Sequence, residues 1–383
     1  MKAYVFTDRA LAKHAGRFVW LAIDGEKAVN AEFRRRYKIP GYPTYHVLDA
    51  VSGRVLMRWV GSASVGQLDR MFTDQSASYA RRLRKQSQPT MADALLAHAD
   101  SLYGVDEHAP AAAAYGRALA VAPPAWPRYA RAVDSRLFSL TQADSAAQCV
   151  ALAASAWPKL RGTVSAANVA ASGLACALAL PADAPRRAER VAEFERACRE
   201  VLADKTLALT GDDRSGLYIS LLDARQAAHD SVGQRQVAES WSAFLDGEAA
   251  RARTPEARAV FDSHRLSAYI ELGHAERAIP MLEASARDFP DDYNPPARLA
   301  NTYRTLGRWD EAIAASDRAM ALAYGPRKIL FFQNRADIFK GRGDMESARR
   351  TLRDAIAYAG ALPEGQRSDA TIAGLEKRLD GLK

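Results

Sequence analysis

Three short segments constrain this chain more than anything else in it. They are Leu272-Gly273-His274-Ala275-Glu276-Arg277-Ala278, Leu306-Gly307-Arg308-Trp309-Asp310-Glu311-Ala312 and Arg342-Gly343-Asp344-Met345-Glu346-Ser347-Ala348, which align without gaps. Their glycines are 34 and 36 residues apart. An aromatic residue, Tyr269, Tyr303 or Phe339, stands four positions before each glycine, and Pro290 and Pro326 close two of the units. A period of this length is one supersecondary unit, too short to bury an apolar face alone. Each unit reads as a helix hairpin, with the glycine turning between the helices and the alanine where they touch. Such units are stable only when stacked on neighbours.

The spacing, the aromatic and the Gly-to-Ala interval resemble tetratricopeptide repeats, and residues 255–360 are expected to be such repeats. A weaker copy starts near Ala92, with Ala99, Leu102, an interrupted turn from Gly104 to Pro110, then Ala111, Tyr115, Ala118 and Pro123. Residues 125–250 keep helical patterning with breaks at Trp126-Pro127, Trp157-Pro158 and Pro181 to Pro185. Residues 91–254 are therefore expected to be degenerate hairpins of the same solenoid, and 361–383 a C-terminal capping helix. The resemblance implies that the first helix of each hairpin lines a concave face. It places Asn301, Arg304, Gln333, Asp337 and Lys340 there, a mixture suited to an extended peptide. A two-cation, two-amide clamp for a peptide carboxylate is incomplete, because Ala297 stands where a lysine is needed. A structural stalk or a dimerisation surface is the alternative reading.

Residues 1–75 have a different texture. Lys2 to Phe6 continues a helix, and Thr7 or Asp8 caps a turn from Arg9 to Ala15. The run Phe18 to Ile23, ending at Asp24, is apolar throughout, as in a strand buried on both faces of a parallel sheet. Lys27 to Tyr37 reads as an amphipathic helix, with Asp24 capping it. Tyr45 to Leu48 and Val55 to Val60 read as strands around a turn from Asp49 to Gly53, and Val65 to Phe72 as a closing helix. Residues 76–90 form a basic linker or helix extension carrying Arg81-Arg82-Leu83-Arg84-Lys85.

Val5-Phe6-Thr7-Asp8, the apolar run, Arg36-Tyr37-Lys38-Ile39, Gly41-Tyr42-Pro43-Thr44 and the strand after it resemble the second part of the thioredoxin-like family of thiol–disulfide proteins. The fold class expected is thus α/β plus all-α: an incomplete thioredoxin-like domain followed by a tetratricopeptide-type helical solenoid. The resemblance implies a cis bond before Pro43 and a substrate-binding role for Tyr42, Pro43 and Thr44, whose backbone would pair with an extended peptide. It also implies a Cys-x-x-Cys at a helix start, where the helix N-terminus activates the thiol. That motif would precede Met1, and no cysteine occurs before Cys149. A chain begun at an internal methionine and a degenerate relic are the two explanations. The apolar run beside an empty slot favours the first, since open apolar surface costs roughly 25 cal/mol per Å².

Composition narrows the function. Residues 1–90 hold 16 Lys and Arg against 7 Asp and Glu, so the net +8 of the chain lies in its first quarter. The basic runs Arg34 to Arg36 and Arg81 to Lys85 lack interleaved aromatics, so a solvated face is favoured over nucleic-acid binding. Cys149, Cys176 and Cys198 read as buried structural residues, too few and too scattered for a disulfide framework. The seven histidines do not cluster, and no phosphate loop, Gly-x-Ser-x-Gly or dinucleotide fingerprint occurs. No catalytic residue, metal, cofactor or membrane span is expected. The expected function is a redox or chaperone protein whose repeats recruit a protein or peptide client, without its own dithiol. A non-enzymatic peptide-binding scaffold is the alternative. The compartment is cytoplasmic as the chain stands, or periplasmic if a signal peptide lies upstream.

Overall fold

The computed structural model describes residues 5–83 and 90–382. The start of the expected helix at Lys2, and Arg84 and Lys85 of the basic run, lie outside the described residues. The chain packs as two units, one of residues 1–19 and 38–237, the other of residues 20–37 and 238–383.

The first unit opens with a tight 3-10 turn, Arg9–His14, whose start is capped by the Asp8 carboxylate accepting from the Ala10 N–H. Strands β1 (Thr44–Leu48) and β2 (Val55–Val60) form an antiparallel hairpin, with Tyr45 opposite Trp59 and His46 opposite Arg58. Asp49 fixes its turn by accepting from the N–H groups of Val51 and Ser52. Helix α2 (Val65–Leu83) then runs past the expected end at Phe72 and into the expected linker. Met57 and Trp59 pack with Leu68, Met71 and Phe72 of α2.

The other face of β2 meets the first helix of the helical region. A register shift between Val47 and Leu48 brings Val55 against Gly104 of α3 (Met91–Gly104). Arg58, fully buried on β2, stacks at 4.3 Å over Tyr103 of the same helix. It also pairs with Asp106 at 2.5 Å in the turn after α3. The strand covered on both sides is therefore β2. The expectation of a doubly buried strand at Phe18 to Ile23 is corrected: these residues form no strand, and Val19, Trp20 and Leu21 are 87%, 51% and 71% exposed. A strand needs a neighbour for its N–H and C=O groups, and the sheet holds only β1 and β2 among the described residues. Thioredoxin's layered sheet is not formed among them.

From α3 onward the unit is helical: α4 (His108–Ala120), α5 (Tyr129–Gln142), α6 (Ala146–Leu160), α7 (Ala166–Ala179), α8 (Arg187–Ala203) and α9 (Gly211–Ala227). Helix α10 (Ser231–Arg251) carries the chain into the second unit. Ala92, Ala99, Ala111, Tyr115 and Ala118, the residues of the weaker copy, all lie in one core. Pro158 sits inside the last turn of α6 rather than breaking it. All three cysteines are buried as expected, but Cys149 and Cys176 are joined in a disulfide between α6 and α7, where none was expected. Sequence separation hid it. The two residues are 27 apart, yet antiparallel neighbouring helices bring their Cα atoms to 6.0 Å.

The second unit contains a 3-10 turn (Ala28–Asn30) and the short helix α1 (Ala31–Arg36). It continues with α11 (Pro255–Ala259), α12 (Asp262–Glu271), α13 (Ala278–Asp288), α14 (Asn294–Thr305), α15 (Trp309–Leu322), α16 (Arg327–Arg342), α17 (Met345–Gly360) and α18 (Asp369–Asp380). Ala278, Ala312 and Ala348, placed by sequence at the helix contacts, are fully buried. Gly273, Gly307 and Gly343 have φ of +75°, +69° and +89°. The N–H after each glycine bonds back to the aromatic carbonyl: His274 to Tyr269 at 2.8 Å, Arg308 to Tyr303 at 2.9 Å and Asp344 to Phe339 at 2.9 Å. This is the Schellman closure of a helix, repeated three times.

Candidate functional site

The residues placed on the first-helix row lie on α14 and α16. On α14, Asn301 and Arg304 are one helical turn apart, so they share a face. The Arg304 guanidinium donates to Asn301 Oδ1 at 2.7 Å and, across to the next repeat, to Asn334 Oδ1 at 3.0 Å. A flexible cation is thereby held flat across two repeats, its fork geometry set by two amide oxygens. Gln333 is half-buried beside Asn334.

Further along α16, Asp337 and Lys340 are again one turn apart. The Asp337 carboxylate accepts from Arg378 of α18 at 2.6 Å. Both side chains of that pair are about two-fifths exposed, at 40% and 39%, so water screens their attraction. Asp337, Lys340, Leu352, Arg378 and Leu382 line a shallow cavity of about 210 Å³. The expected residues with described contacts thus fall into two groups, Asn301 and Arg304 with Asn334, and Asp337 and Lys340 with Arg378. One is an amide–guanidinium patch on α14 and α16, the other a charged patch where α18 covers α16. The sequence reading missed Asn334 and Arg378. Asn334 was within reach, since it lies 30 residues after Arg304 on the equivalent helix; Arg378 was not, because α18 has no repeat motif to align.

Tyr42, Pro43 and Thr44 lie in the first unit, at the entrance to β1. The Tyr42–Pro43 peptide bond is cis, and the Tyr42 side chain is 58% exposed. Thr44 Oγ1 donates to the Gly41 carbonyl at 2.6 Å, and the Pro43 carbonyl accepts from the Gly61 N–H at 2.9 Å. The Pro43 carbonyl is therefore already used within the hairpin. Asp24, expected to cap the helix after it, accepts from the Glu26 N–H at 3.0 Å and so caps the turn instead.

The cysteines offer no thiolate. Two are bonded to each other, and Cys198 is buried on α8, where burial, reinforced by the charge of Glu195, pushes its thiol up to about 12. A thiol held in that form attacks no disulfide at neutral pH. Among the described residues no group of three or more His, Cys, Asp or Glu is placed to hold a metal ion. No described helix is long and apolar enough to cross a membrane.

Comparison with known proteins agrees with the repeat geometry. Residues 297–330, which cover most of α14, all of α15 and the start of α16, match the model of the tetratricopeptide repeat family. No curated protein matches the chain. Among solved structures it is similar to a tetratricopeptide repeat protein from Parabacteroides merdae ATCC 43184, at 11% identity over 76% of this chain and 98% of that one, with a TM-score of 0.44. It is also similar to the TPR2AB-domain:pHSP90-complex of yeast Sti1, at 16% identity over 76% of this chain and 99% of that one, with a TM-score of 0.28. The chain is mostly helical, and the family match within it is to the tetratricopeptide repeat, over residues 297–330.

Proposed function

We propose that this protein is a non-enzymatic scaffold that binds an extended segment of a protein partner along the first helices of its second unit. Asn301, Arg304, Gln333, Asp337 and Lys340 are the contact set, with Asn334 and Arg378 completing it. The observation that carries this reading is the Arg304 guanidinium, held in place by amide oxygens on two successive repeats. A cation fixed in advance loses less side-chain entropy on binding than one swinging in water. Arg304, Lys340 and Arg378 outnumber Asp337, which favours a partner segment carrying carboxylates. The expectation of a redox or chaperone protein, with its dithiol upstream of Met1, has weaker support, because the family match is to the tetratricopeptide repeat and the described residues form only a two-stranded sheet.

The test is selection of displayed random peptides on the full chain, followed by affinity measurement on Arg304→Ala and Lys340→Ala. Selected peptides should be enriched in Asp and Glu and should lose at least about ten-fold in affinity with Arg304→Ala, equal to 1.4 kcal/mol. Unchanged affinity in both variants, with helix content retained, would refute the assignment.

A further inference from the structure

In the second unit, three loops lead from the second helix of one repeat into the first helix of the next: residues 289–293, 323–326 and 361–368. Residues 24–36 of the same unit are seated on the last two. Backbone and carboxylate contacts are prominent in this seating. The 3-10 turn at Ala28–Asn30 buries nothing, and α1 buries only Ala31.

The contacts are specific. Gln366, itself 5% exposed, donates its Nε2 to two backbone carbonyls of the segment, Gly25 at 2.9 Å and Lys27 at 3.0 Å. The Tyr324 hydroxyl donates to Asp24 Oδ2 at 2.8 Å, and that carboxylate raises the phenol to about 12. Glu26 Oε2 accepts from the Arg327 N–H at 2.6 Å, which is the first residue of α16. A carboxylate there meets both an unpaired amide and the positive end of the helix. Arg34 pairs with the other oxygen of Glu26 at 3.5 Å from within the segment.

Two glycines of the repeats make the approach possible. A Cβ on Gly325 would lie 2.1 Å from the Glu26 carbonyl oxygen, and one on Gly365 would lie 2.0 Å from the Ala31 carbonyl oxygen. In both cases the obstacle is backbone, which cannot swing aside. Tyr358 holds the first of these loops by donating to the Gly325 carbonyl at 3.1 Å. The loop side therefore reads two carbonyls, two carboxylates and a close backbone, which is how a receptor reads a peptide turn rather than how a core is filled.

We propose that this loop edge is a receptor for an acidic turn of the form Asp-Gly-Glu, occupied in this chain by its own residues 24–36 and available to a partner protein's acidic turn when that segment is displaced. It is a site separate from the Arg304 row and does not rest on it. The polar character of the contacts makes exchange feasible, since the two carboxylate bonds, from Tyr324 and from the Arg327 N–H, are exposed to water and contribute modestly to stability.

The test uses the full chain and a fluorescent synthetic peptide of residues 20–37. In the variant Asp24→Ala/Glu26→Ala, hydrogen exchange over residues 24–36 should rise, and the wild-type peptide added in trans should bind at least ten-fold tighter than to the unaltered chain. Adding Gly365→Val to that variant should abolish binding, as should removing both carboxylates from the peptide. Arg304→Ala should leave all of this unchanged, which separates the outcome from that of the groove. If residues 24–36 stay protected in the double variant, the carboxylates do not hold them and the proposal fails. It fails equally if the segment is released and the peptide still does not bind.

Discussion

Asp106 and Asp144 occupy the same place in two helix turns but do different things there. Both have left-handed backbones, with φ of +64° and +51°, and His229 joins them at +53°. Behind each runs the bond pattern of the three glycine turns: Glu107 to Leu102 at 3.1 Å, Ser145 to Leu140 at 2.9 Å and Asp230 to Arg225 at 2.9 Å. Six turns thus share one geometry, and the sequence reveals only those built with glycine. Aspartate is among the few side chains that tolerate this conformation, at a cost of up to about 1–2 kcal/mol. At Asp144 nothing in the structure repays that cost, so Asp144→Gly should stabilise the protein by about 0.5–1 kcal/mol once glycine's extra unfolded freedom is deducted. At Asp106 the carboxylate neutralises the buried Arg58. Asp106→Gly should therefore destabilise by at least about 2 kcal/mol, because a buried cation loses its partner. Urea denaturation of the two variants side by side checks the opposite signs.

A second residue carries a pH dependence. Asp134 on α5 is buried, accepts a hydrogen bond from Ser165 at 2.8 Å and faces no cation, so burial raises its carboxyl from 3.8 to about 7. Between those values the unfolded chain gives up its proton while the folded chain keeps it. Stability from this group is complete below about pH 4, falls as pH rises to about 7, and stays low above. The loss is bounded by about 4 kcal/mol. Asp134→Asn should flatten melting temperature against pH between 4 and 8, and raise it at pH 8 but not at pH 4.

At the scale of elements, the hairpins from α12 to α17 were legible because their turns, small contact residues and period agree with one another. The disulfide was not legible, because it joins helices from neighbouring hairpins whose register no motif announces. Its effect is measurable. Alkylation of the denatured chain should label one cysteine without reductant and three with it. Cys149→Ser/Cys176→Ser should cost about 3.5 kcal/mol, the loop-closure value for a span of 27 residues. The apolar run at Phe18 to Ile23 failed for the opposite reason. Its composition suits a buried strand, but strand formation is a property of pairs, and composition does not supply the neighbour. The two-sided burial it suggested belongs to β2, which carries Arg58 in an otherwise apolar run. A buried arginine paired with an aspartate and stacked on a tyrosine ring reads as polar in sequence and is enclosed like core in the fold.

At the scale of the whole molecule, the sequence divides into a basic first quarter and a balanced, mostly helical remainder, of which residues 297–330 match a repeat model. The candidate groove was legible in part: the row Asn301, Arg304, Gln333, Asp337 and Lys340 comes from the period alone, while the bonds that fix Arg304 and cover Asp337 required coordinates. Packing also groups residues 20–37 with the far end of the chain, which no local pattern announces. That grouping has a consequence for the order of events in the cell. The carbonyls of Gly25 and Lys27 lie 341 and 339 residues before the Gln366 amide that binds them. At ribosomal speeds of about 5–20 residues per second, the segment waits roughly 20 to 70 seconds after leaving the tunnel before its seat is synthesised. For that interval residues 24–36 are an unclaimed acidic turn, and their seat is complete only once Gln366 has been made.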